Sequence, residues 1–488
     1  MRLITVITDN FIHAQEKPSR AKPRIHRVKP EEEFGLVFDG TLGCLPGEVH
    51  LETDQTVQPT ILPPRRLPHA LKTKVKSELD KLVKKQVITP VQEPSKWVSQ
   101  LVIAEKSNKE LRICIDPKPL NKALKRAHYQ LPIINDVLPD LAKAKTFSKL
   151  DLSSAFWQIK LDNESSNLTT FATMYGRYKW NRLPFGTSVS SEIFQYRIHM
   201  ALEGLPGVVV VADDILVYGK GDTNEMAIED HDKCLRALLV RCTEQTIKLN
   251  KGKSIFRSES LPFLGHLVTN VGLKPDPAKV KVIKEMPTPT DVAGVQRLVG
   301  FVNYLSRFLP SLSDTLEPIR NLTKQDVSRH WEFPQEKALK KIKKAITDNP
   351  ILAYYDSKQP LTIQCDASSK GIGSVLLQND RPVAYASRAL TDTETRYATI
   401  EKEMLAVVFS FEHFHQYTFG RHTDVISDHK PLEMIAKKAL CKAPKRLQGM
   451  LLTLQKYSYE IKHRPGKTMV LADTLSRAFL ISSFKIAN

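Results

Sequence analysis

Two adjacent aspartates interrupt one of the most apolar stretches of the sequence. Residues 208–219 read VVVVADDILVYG, so runs of β-branched and aromatic residues lie on both sides of Asp213 and Asp214. Such runs favour β-strands, and the polar break between them favours a tight turn. The sequence therefore predicts a hairpin with two carboxylates at its tip. Any fold of this chain must compensate the cost of placing these charges beside a buried sheet.

A third carboxylate, Asp151, ends another apolar strand within the segment TFSKLDLSSAF. An isolated aspartate in such a position is most often a turn former or a solvated residue. The apolar flanks favour a site instead, because carboxylates at the rim of a buried sheet repel one another unless a cation lies between them. Mg²⁺ fits, with Mn²⁺ as a substitute, because it prefers oxygen ligands and bridges substrate phosphates. Two such ions about 4 Å apart can drive phosphoryl transfer.

Four further acids lie in four separate predicted elements of the C-terminal part. Two follow apolar strands, one lies on a long helix and one begins another helix: Asp366, Asp428, Glu403 and Asp473. The plain interpretation of Glu403 is a solvated helix face, although its apolar neighbours in the segment EMLAVV weaken that interpretation. These acids form a second site only if the fold brings them together, which the sequence alone leaves open.

The charge of the chain indicates a polyanionic partner. The net charge is +19 at pH 7 and the pI is about 9.5. Residues 65–85 contain eight basic and two acidic residues, and residues 437–467 contain nine and one. Nucleic acid is favoured over a membrane surface, because neither stretch combines an apolar face with aromatic anchors. A solvated basic surface is the alternative.

Other features favour the interior of the cell. No apolar run approaches the roughly 18 residues that cross a bilayer, and the N-terminal sequence lacks a secretory signal pattern. The six cysteines are scattered without a CxxC pair, which argues against a disulfide framework and for a reducing compartment. We therefore expect an intracellular protein without a membrane partner, in a cytoplasmic particle or in the nucleus.

The pattern of elements predicts an α+β chain with several units. A Pro-rich, charged lead-in is followed by mixed strands and helices, a basic helical region, a strand meander with helices, and a short tail. The corresponding boundaries are 1–70, 71–270, 271–355, 356–480 and 481–488. The switch from helices to strands near residue 355 marks the clearest boundary. Within these units we expect an extended lead-in, two strands from the runs at 97–105 and 111–116, three strands after Pro360, and one long helix over 396–415.

Eight motifs in this order resemble the polymerase part of gypsy-type LTR retrotransposons, a reverse transcriptase followed by a ribonuclease H. They are LDLSSAFWQI (150–159), RLPFGTSVSSEIFQ (182–195), VADDILVYG (211–219), FLGH (263–266), CDASSKGIGSVLLQ (365–378), YATIEKEMLAVV (397–408), SDHKPL (427–432) and HRPGKTMVLADTLSR (463–477). The resemblance runs from about residue 35 to about 478. It implies a right-hand polymerase with fingers and palm (71–270) and a thumb and connection (271–355), followed by a ribonuclease H-like mixed α/β domain.

The resemblance also implies roles for residues of the first site. Asp151 and Asp213 would hold both polymerase metals, with Asp214 as a further acid beside them. Phe156 would block the ribose 2′-OH of an incoming nucleotide, although the sequence alone favours a core residue at this position. The other implied nucleotide-binding residues are Lys106 and Arg112, which would clamp the triphosphate, and Phe185 and Gly186. Gly186 would let the backbone approach the nucleotide and template closely. The implied primer-binding turn consists of Phe263, Leu264, Gly265 and His266.

In the second site, Asp366, Glu403, Asp428 and Asp473 would hold two metals that cut the RNA strand of a hybrid. His463 would assist product release or proton transfer, for which an imidazole is suited near neutral pH. A surface histidine in a basic loop is an equally good explanation of His463.

The sequence is therefore interpreted as an RNA-directed DNA polymerase with ribonuclease H activity. Its implied partners are an RNA template, a DNA primer, RNA–DNA hybrid and deoxynucleoside triphosphates, with a second copy or other products of the same element as further partners. Motif departures, such as Val211 where the family often has Tyr, leave two alternatives. One is a catalytically impaired nucleic-acid-binding protein, and the other retains only the nuclease. Protease and integrase motifs are not recognised, which suggests the middle of a polyprotein.

Overall fold

The computed structural model describes residues 30–105, 110–310, 312–324, 330–347, 351–437, 440 and 443–465. The helices are α1 (Pro30–Glu33), α2 (His69–Lys84), α3 (Lys118–Ala123), α4 (Ile134–Val137), α5 (Asn163–Leu168), α6 (Ser190–Leu202), α7 (Asn224–Glu244), α8 (Pro277–Glu285), α9 (Val292–Tyr304), α10 (Leu312–Asn321), α11 (Phe333–Thr347), α12 (Thr399–His413), α13 (His415–Thr418), α14 (Pro431–Ala436) and α15 (Lys445–Leu454). Within these ranges, no helix is both long enough and apolar enough to span a bilayer.

The strands of the first half are β1 (Glu48–Val49), β2 (Ile88–Val91), β3 (Ser99–Glu105), β4 (Leu111–Asp116), β5 (Ala144–Leu152), β6 (Lys160–Leu161), β7 (Phe171–Thr173), β8 (Gly176–Trp180), β9 (Val208–Val211), β10 (Asp214–Lys220) and β11 (Leu249–Ser258). Those of the second half are β12 (Ser260–Phe263), β13 (His266–Thr269), β14 (Gly272–Pro275), β15 (Leu361–Ala367), β16 (Gly371–Gln378), β17 (Arg381–Ala389), β18 (His422–Ser427) and β19 (Ser458–His463). The mixture confirms the predicted α+β class.

Four antiparallel strands in the order β11-β5-β10-β9 form the sheet that carries the first group of acids. The predicted hairpin is present, since β9 and β10 pair with Val211 opposite Asp214. Strand β10 also pairs with β5, and this register places Asp214 opposite Asp151. Helix α7 packs on β5 and β10. The alternation of side chains along β5 and β10 therefore buries one face against α7 and leaves the acids at the end of the sheet.

A second mixed sheet, in the order β2-β8-β7-β3-β4, forms the region corresponding to the fingers. Helix α2 packs against β2 and β4 and buries Val75, Leu79 and Leu82, which lie at helical spacing in the sequence. The two strands predicted from the runs at 97–105 and 111–116 pair as β3 and β4.

The lead-in from Pro30 onward is part of the first hydrophobic core, contrary to the expected extended linker. Val37, Leu45, Val49 and Leu51 are buried there, and β1 pairs in parallel with β6. The segment lacks periodicity because it packs through isolated side chains rather than through one face of a helix or strand. Local patterning could not reveal this burial.

The predicted basic helical region contains α8 to α11, preceded by the three-stranded sheet β12-β13-β14. These helices share one hydrophobic core with the first sheet and with the C-terminal sheet. Phe147 and Leu216 contribute from the first sheet, Leu298 and Leu316 from the helices, and Val375 from β16. The two halves of the chain are therefore joined by apolar packing.

The C-terminal sheet has the order β17-β16-β15-β18-β19. Its first three strands form an antiparallel meander, whereas β15, β18 and β19 run parallel. Helix α12 packs across β15 and β16. The three strands predicted after Pro360 and the long helix predicted for 396–415 are confirmed, although that helix ends at His413 and is followed by the short α13.

Candidate active sites

The first site lies in a cleft of about 750 Å³ at the end of the palm sheet. Asp151 and Asp213 line this cleft together with Arg112, Phe185 and Lys253. The hairpin tip is tied to the end of β5 because the Leu152 N–H donates to the Asp213 carbonyl at 2.9 Å. This bond places the two aspartates side by side, although they are 62 positions apart in sequence.

A buried glutamine fixes the conformation of the hairpin tip. The Gln195 side-chain amide donates to the Val210 carbonyl at 2.9 Å and accepts from the Ala212 N–H at 2.7 Å. Ala212 has a φ of 49°, a conformation that non-glycine residues seldom adopt. Gln195 was not among the predicted site residues. Its place at the end of the segment RLPFGTSVSSEIFQ is the sequence feature that could have indicated a role in the site.

The electrostatics of the cleft distinguish the three acids. Burial raises the pKa of Asp151, and Lys253 Nζ, 3.3 Å from both carboxylate oxygens, opposes that rise. The pKa of Asp213 is raised by burial and then by the charges of Asp151 and Asp214. Asp214 instead forms an ion pair with Lys149 at 2.8 Å. Asp151 and Asp213 are therefore the acids directed into the cleft, and Asp214 lies beside them as a paired acid.

The three acids of the first site offer oxygen ligands but do not converge on one point. Among the described residues, the three polymerase acids do not bring one oxygen each within 4.8 Å of one another. Two carboxylates that repel each other still offer hard oxygen ligands, and Mg²⁺ commonly takes its remaining ligands from phosphates and water. Lys253 places a positive charge beside Asp151 in the same cleft.

Some of the predicted nucleotide-binding residues line the cleft, and Phe156 lies behind them. The Arg112 guanidinium is 4.9 Å from the centre of the Phe185 ring, and both residues line the cleft. Phe156 is half-buried, with its ring 4.8 Å from Phe185 and 5.4 Å from Phe194. Phe156 therefore supports the wall that Phe185 forms, and its contact with a ribose stays a prediction. Lys106 lies outside the described residues.

Gly186 is required by the protein backbone itself. Its φ is 111°, and a Cβ there would lie 2.0 Å from the Ile115 carbonyl oxygen of β4. The neighbouring Phe185 carbonyl accepts from the Ile115 N–H at 3.2 Å. The close approach that the structure shows at this glycine joins palm and fingers, and the approach to a nucleotide stays a prediction.

We expect Gly186→Ala to destabilise the folded chain by about 2 kcal/mol or more, because the new methyl group combines a strained φ with a backbone clash. Gly300→Ala is the matched control, since Gly300 lies in the middle of α9 on its exposed face, with open space around it. This substitution should stabilise the folded chain by about 0.5–1 kcal/mol. Urea unfolding measures both. Equal effects of the two substitutions would contradict the clash.

The predicted primer-binding turn is a two-residue hairpin between β12 and β13. Leu264 and Gly265 have φ values of 47° and 74°, the signs of a type I′ turn. Leucine is unfavourable at such a φ, so its presence there is an unusual feature of the turn. The Tyr304 hydroxyl donates to the Gly265 carbonyl at 2.9 Å and anchors the turn on α9. Phe263 is buried beneath it. Contact with a primer stays a prediction.

His266, the last residue of this turn, is buried and hydrogen-bonded. Its Nδ1 lies 3.0 Å from the Leu264 carbonyl oxygen, and its ring is 5.6 Å from those of Tyr304 and Phe308. Burial, helped by the charges of Arg307 and Lys279, lowers the pKa of His266 to about 4. The imidazole is therefore neutral near pH 7 and acts as a packed polar residue.

The lowered pKa of His266 predicts a loss of stability in acid. Between pH 6.5 and about 4 the unfolded chain binds a proton that the folded chain does not, so stability falls by up to about 3 kcal/mol. The difference in the free energy of unfolding between wild type and His266→Gln should shrink by that amount from pH 7 to pH 4. The exposed His330→Gln is the control. A constant difference between wild type and His266→Gln across this range would contradict a buried neutral imidazole.

The second site brings together three of the four predicted acids. Asp366, Glu403 and Asp428 each place a carboxylate oxygen within 4.8 Å of the others. The topology explains this, because β15 and β18 are parallel neighbours whose C-terminal ends carry Asp366 and Asp428, while α12 crosses β15 with Glu403. Asp473 lies outside the described residues.

Glu403 is the buried member of this triad. Only 4% of the residue is exposed, and its Oε2 has no hydrogen-bond partner. Burial, and then the charges of Asp366 and Asp428, raise the pKa of Glu403 to about 8. A buried carboxylate oxygen that no protein donor satisfies is costly unless a cation binds it. The triad therefore fits a divalent metal bound by oxygen ligands, as the sequence analysis expected.

His463 lies beside this site. It ends β19 opposite Ser427, so it is one position across the sheet from Asp428. The Arg464 N–H donates to the Ser427 carbonyl at 3.0 Å and closes the same edge. The ring is half-buried, which leaves both interpretations of this histidine open to experiment.

A second group of potential ligands, which the sequence analysis missed, occurs on the opposite part of the same sheet. His422, Asp424 and Glu460 bring ligand atoms within 4.8 Å, because Asp424 and Glu460 are paired across β18 and β19. Lys462 Nζ lies 2.8 Å from Asp424 and 3.5 Å from Glu460. The positive charge of Lys462 therefore lies against both acids, whereas Glu403 Oε2 has no hydrogen-bond partner, so the two clusters differ.

Comparison with known proteins identifies two domains in the chain. Residues 103–268 match the model of the reverse transcriptase (RNA-dependent DNA polymerase) family, and residues 331–425 match that of the RNase H-like domain found in reverse transcriptase. The chain is 33% identical over 424 residues to the Pol polyprotein of transposon 412 of Drosophila melanogaster, covering 84% of this chain and 34% of that protein. For transposon opus of the same species it is 33% over 469 residues, covering 91% and 46%. The chain therefore carries a reverse transcriptase domain and an RNase H-like domain, and it is similar to the Pol polyproteins of gypsy-type retrotransposons.

Solved structures show that the chain shares its fold with known proteins. A foamy viral protease-reverse transcriptase in complex with double-stranded DNA superposes with a TM-score of 0.81 at 22% identity, covering 89% of this chain and 77% of that one. The foamy viral enzyme in complex with RNA/DNA hybrid gives 0.75 at 22%, covering 94% and 62%. The chain spans about a third to a half of the length of the Drosophila polyproteins that it matches.

Proposed function

We propose that this chain is an RNA-directed DNA polymerase that also hydrolyses the RNA strand of RNA–DNA hybrids. The observation that carries the proposal is the placement of Asp151 and Asp213 at the end of the palm sheet, in a cleft that Arg112 and Phe185 also line. A second carboxylate group, Asp366 with Glu403 and Asp428, lies in the C-terminal domain. Each group supplies the hard oxygen ligands that metal-assisted phosphoryl transfer requires.

At the polymerase site, Asp151 and Asp213 would hold Mg²⁺, with Asp214 contributing negative charge from its position beside them. Bound magnesium there would activate the primer 3′-hydroxyl and neutralise charge that develops on the transferred phosphoryl group. The exposed Arg112 binds phosphate oxygens of the deoxynucleoside triphosphate, and its cation–π contact with Phe185 holds the guanidinium in place. Gln195 preserves the hairpin tip, so that Asp213 remains beside Asp151 during turnover.

At the nuclease site, Asp366, Glu403 and Asp428 would hold Mg²⁺, with Asp473 as the fourth predicted ligand. Bound magnesium there would supply a hydroxide-like nucleophile and stabilise the leaving oxygen of the RNA strand. Glu403 sits between the strand ends on a buried helix face, where packing fixes its carboxylate before substrate binds. His463, at the neighbouring strand end, is placed to bind or release a proton near the product.

The proposed partners are an RNA template, a DNA primer and the hybrid that copying produces. The net charge of +19 supports binding to the phosphate backbone, which is insensitive to sequence and therefore suits a polymerase. Copying RNA leaves a hybrid whose RNA strand must be removed before a second DNA strand is made. The nuclease site supplies this second activity within the same chain.

The proposal is tested by incubating the chain with a labelled DNA primer on a labelled RNA template, deoxynucleoside triphosphates and Mg²⁺. Extension of the primer together with cleavage of the template is the expected result. Tight hybrid binding without either reaction would establish the impaired binding protein instead. Cleavage without extension would establish the nuclease-only alternative.

A further inference from the structure

Arg307 lies where three parts of the molecule meet. It belongs to the short helical turn Ser306–Phe308 that follows α9 in the thumb region. That turn packs against β17 of the nuclease sheet, and Phe308 is fully buried in the core that the palm, thumb and nuclease share. The side chain of Arg307 extends from this junction toward both other units.

The guanidinium has one partner in each of the neighbouring domains. Its Nη1 donates to Asn135 Oδ1 of the palm helix α4 at 2.9 Å. On the other side it is hydrogen-bonded to the side chain of Tyr417 in the nuclease helix α13. One side chain of the thumb therefore connects the palm to the nuclease domain through directional hydrogen bonds.

The environment of Arg307 is unusual for an arginine. Its Nε is buried without a hydrogen-bond partner, and the described residues provide it with no carboxylate ion pair. Burial lowers the pKa of Arg307. A buried cation of this kind is a poor source of stability, since hydrophobic replacements of similar volume are often neutral. Its value lies in geometry, because a planar guanidinium fixes two partners in direction as well as distance.

Both partners of Arg307 are themselves held in place. The Ile133 N–H donates to Asp136 Oδ2 at 2.9 Å and fixes the start of α4. The Tyr417 carbonyl accepts from the Tyr355 hydroxyl at 3.0 Å, and Arg421 Nη1 donates to that hydroxyl oxygen at 2.7 Å. A displacement at the junction is therefore passed to whole helices rather than absorbed by flexible side chains.

We propose that Arg307 is a positioning residue that sets the distance between the polymerase and nuclease sites along a bound hybrid. This inference rests on the proposed function. The position of the RNA cut relative to the primer 3′ end follows from the relative orientation of the two domains. Because the thumb and connection lie between the two sites, a small rotation at the junction would shift the nuclease site along the hybrid by about a nucleotide or more.

The test uses a primer extended to one defined template position by omission of a single nucleotide, and maps the cuts in end-labelled RNA. The wild-type chain should cut at one dominant spacing from the primer end. Arg307→Met keeps the apolar length of the side chain but removes both hydrogen bonds, and should spread the cuts over several nucleotides. Extension on a DNA template, and cleavage of a long hybrid without a fixed primer end, should each remain within about threefold of wild type.

Two further substitutions each remove one of the two hydrogen bonds of Arg307. They keep the inference testable if Arg307→Met fails to fold. Tyr417→Phe and Asn135→Ala should each broaden the spacing to an intermediate degree. Arg396→Met, which removes an exposed arginine far from the junction in sequence, should keep the wild-type pattern. An unchanged dominant spacing in the junction variants would overturn the inference while leaving the proposed function intact. Absence of both activities from the wild-type chain would instead remove the proposed function.

Discussion

The Asp213→Asn chain is expected to lose primer extension by about a thousandfold or more and to retain hybrid cleavage within about threefold of wild type. Asparagine preserves the size of the side chain and tolerates the hairpin turn, but it removes the charge that the cation requires. The measurement is the steady-state rate of extension on a primed RNA template, with cleavage of a preformed hybrid measured in parallel.

The neighbouring acids provide graded controls for this substitution. Asp214→Asn should have a smaller effect on extension, because Asp214 is paired with Lys149 at 2.8 Å instead of facing the cleft. Asp222→Asn changes an exposed acid just beyond the same strand, where it is paired with Lys143 at 3.3 Å, and should leave extension unchanged. Equal losses in all three variants would show that the hairpin fold, rather than a metal ligand, had been disturbed.

Glu403→Gln is expected to abolish hybrid cleavage, again by about a thousandfold or more, while extension continues. The same variant should be more stable than wild type when metal is chelated. Glu403 has a pKa of about 8 in the folded chain and near 4.5 in the unfolded chain. Between these values only the folded chain holds the proton, so wild-type stability falls as pH rises, by a total on the order of 4 kcal/mol.

Unfolding by urea in EDTA at pH 5 and pH 8.5 measures this difference. The advantage of Glu403→Gln over wild type should grow as the pH rises through this interval. Glu412→Gln is the control, since it alters an exposed glutamate on the same helix α12. If the two glutamine variants respond alike to pH, Glu403 is not the buried acid that the structure shows.

Elements with strong local patterns could be predicted from the sequence. The hairpin around Asp213 is an example, because β-branched runs on both sides of a polar pair allow few other structures. Strands β15 to β17 could likewise be predicted from apolar runs that follow Pro360. The meeting of Asp366, Glu403 and Asp428 could be expected only from the resemblance to a known family, because three separate elements contribute one acid each.

Features that depend on long-range contacts could not be predicted. Nothing in the local sequence indicates that Lys253 reaches Asp151 or that Lys149 neutralises Asp214, since these pairings depend on the strand register. The burial of Val37 and Leu45 was missed because isolated side chains of an irregular segment leave no periodic pattern. Gly186 was recognised as a position of close approach, but its neighbour is the backbone of β4.

Two separate groups of carboxylates in this chain are proposed to bind divalent cations. Anomalous diffraction from crystals of the chain grown with Mn²⁺ and an RNA–DNA hybrid shows whether they do. We expect manganese peaks within ligand distance of Asp151 and Asp213 and, separately, of Asp366, Glu403 and Asp428. Ordered carboxylates without a manganese peak at either group, at saturating Mn²⁺, would show that they do not bind such ions.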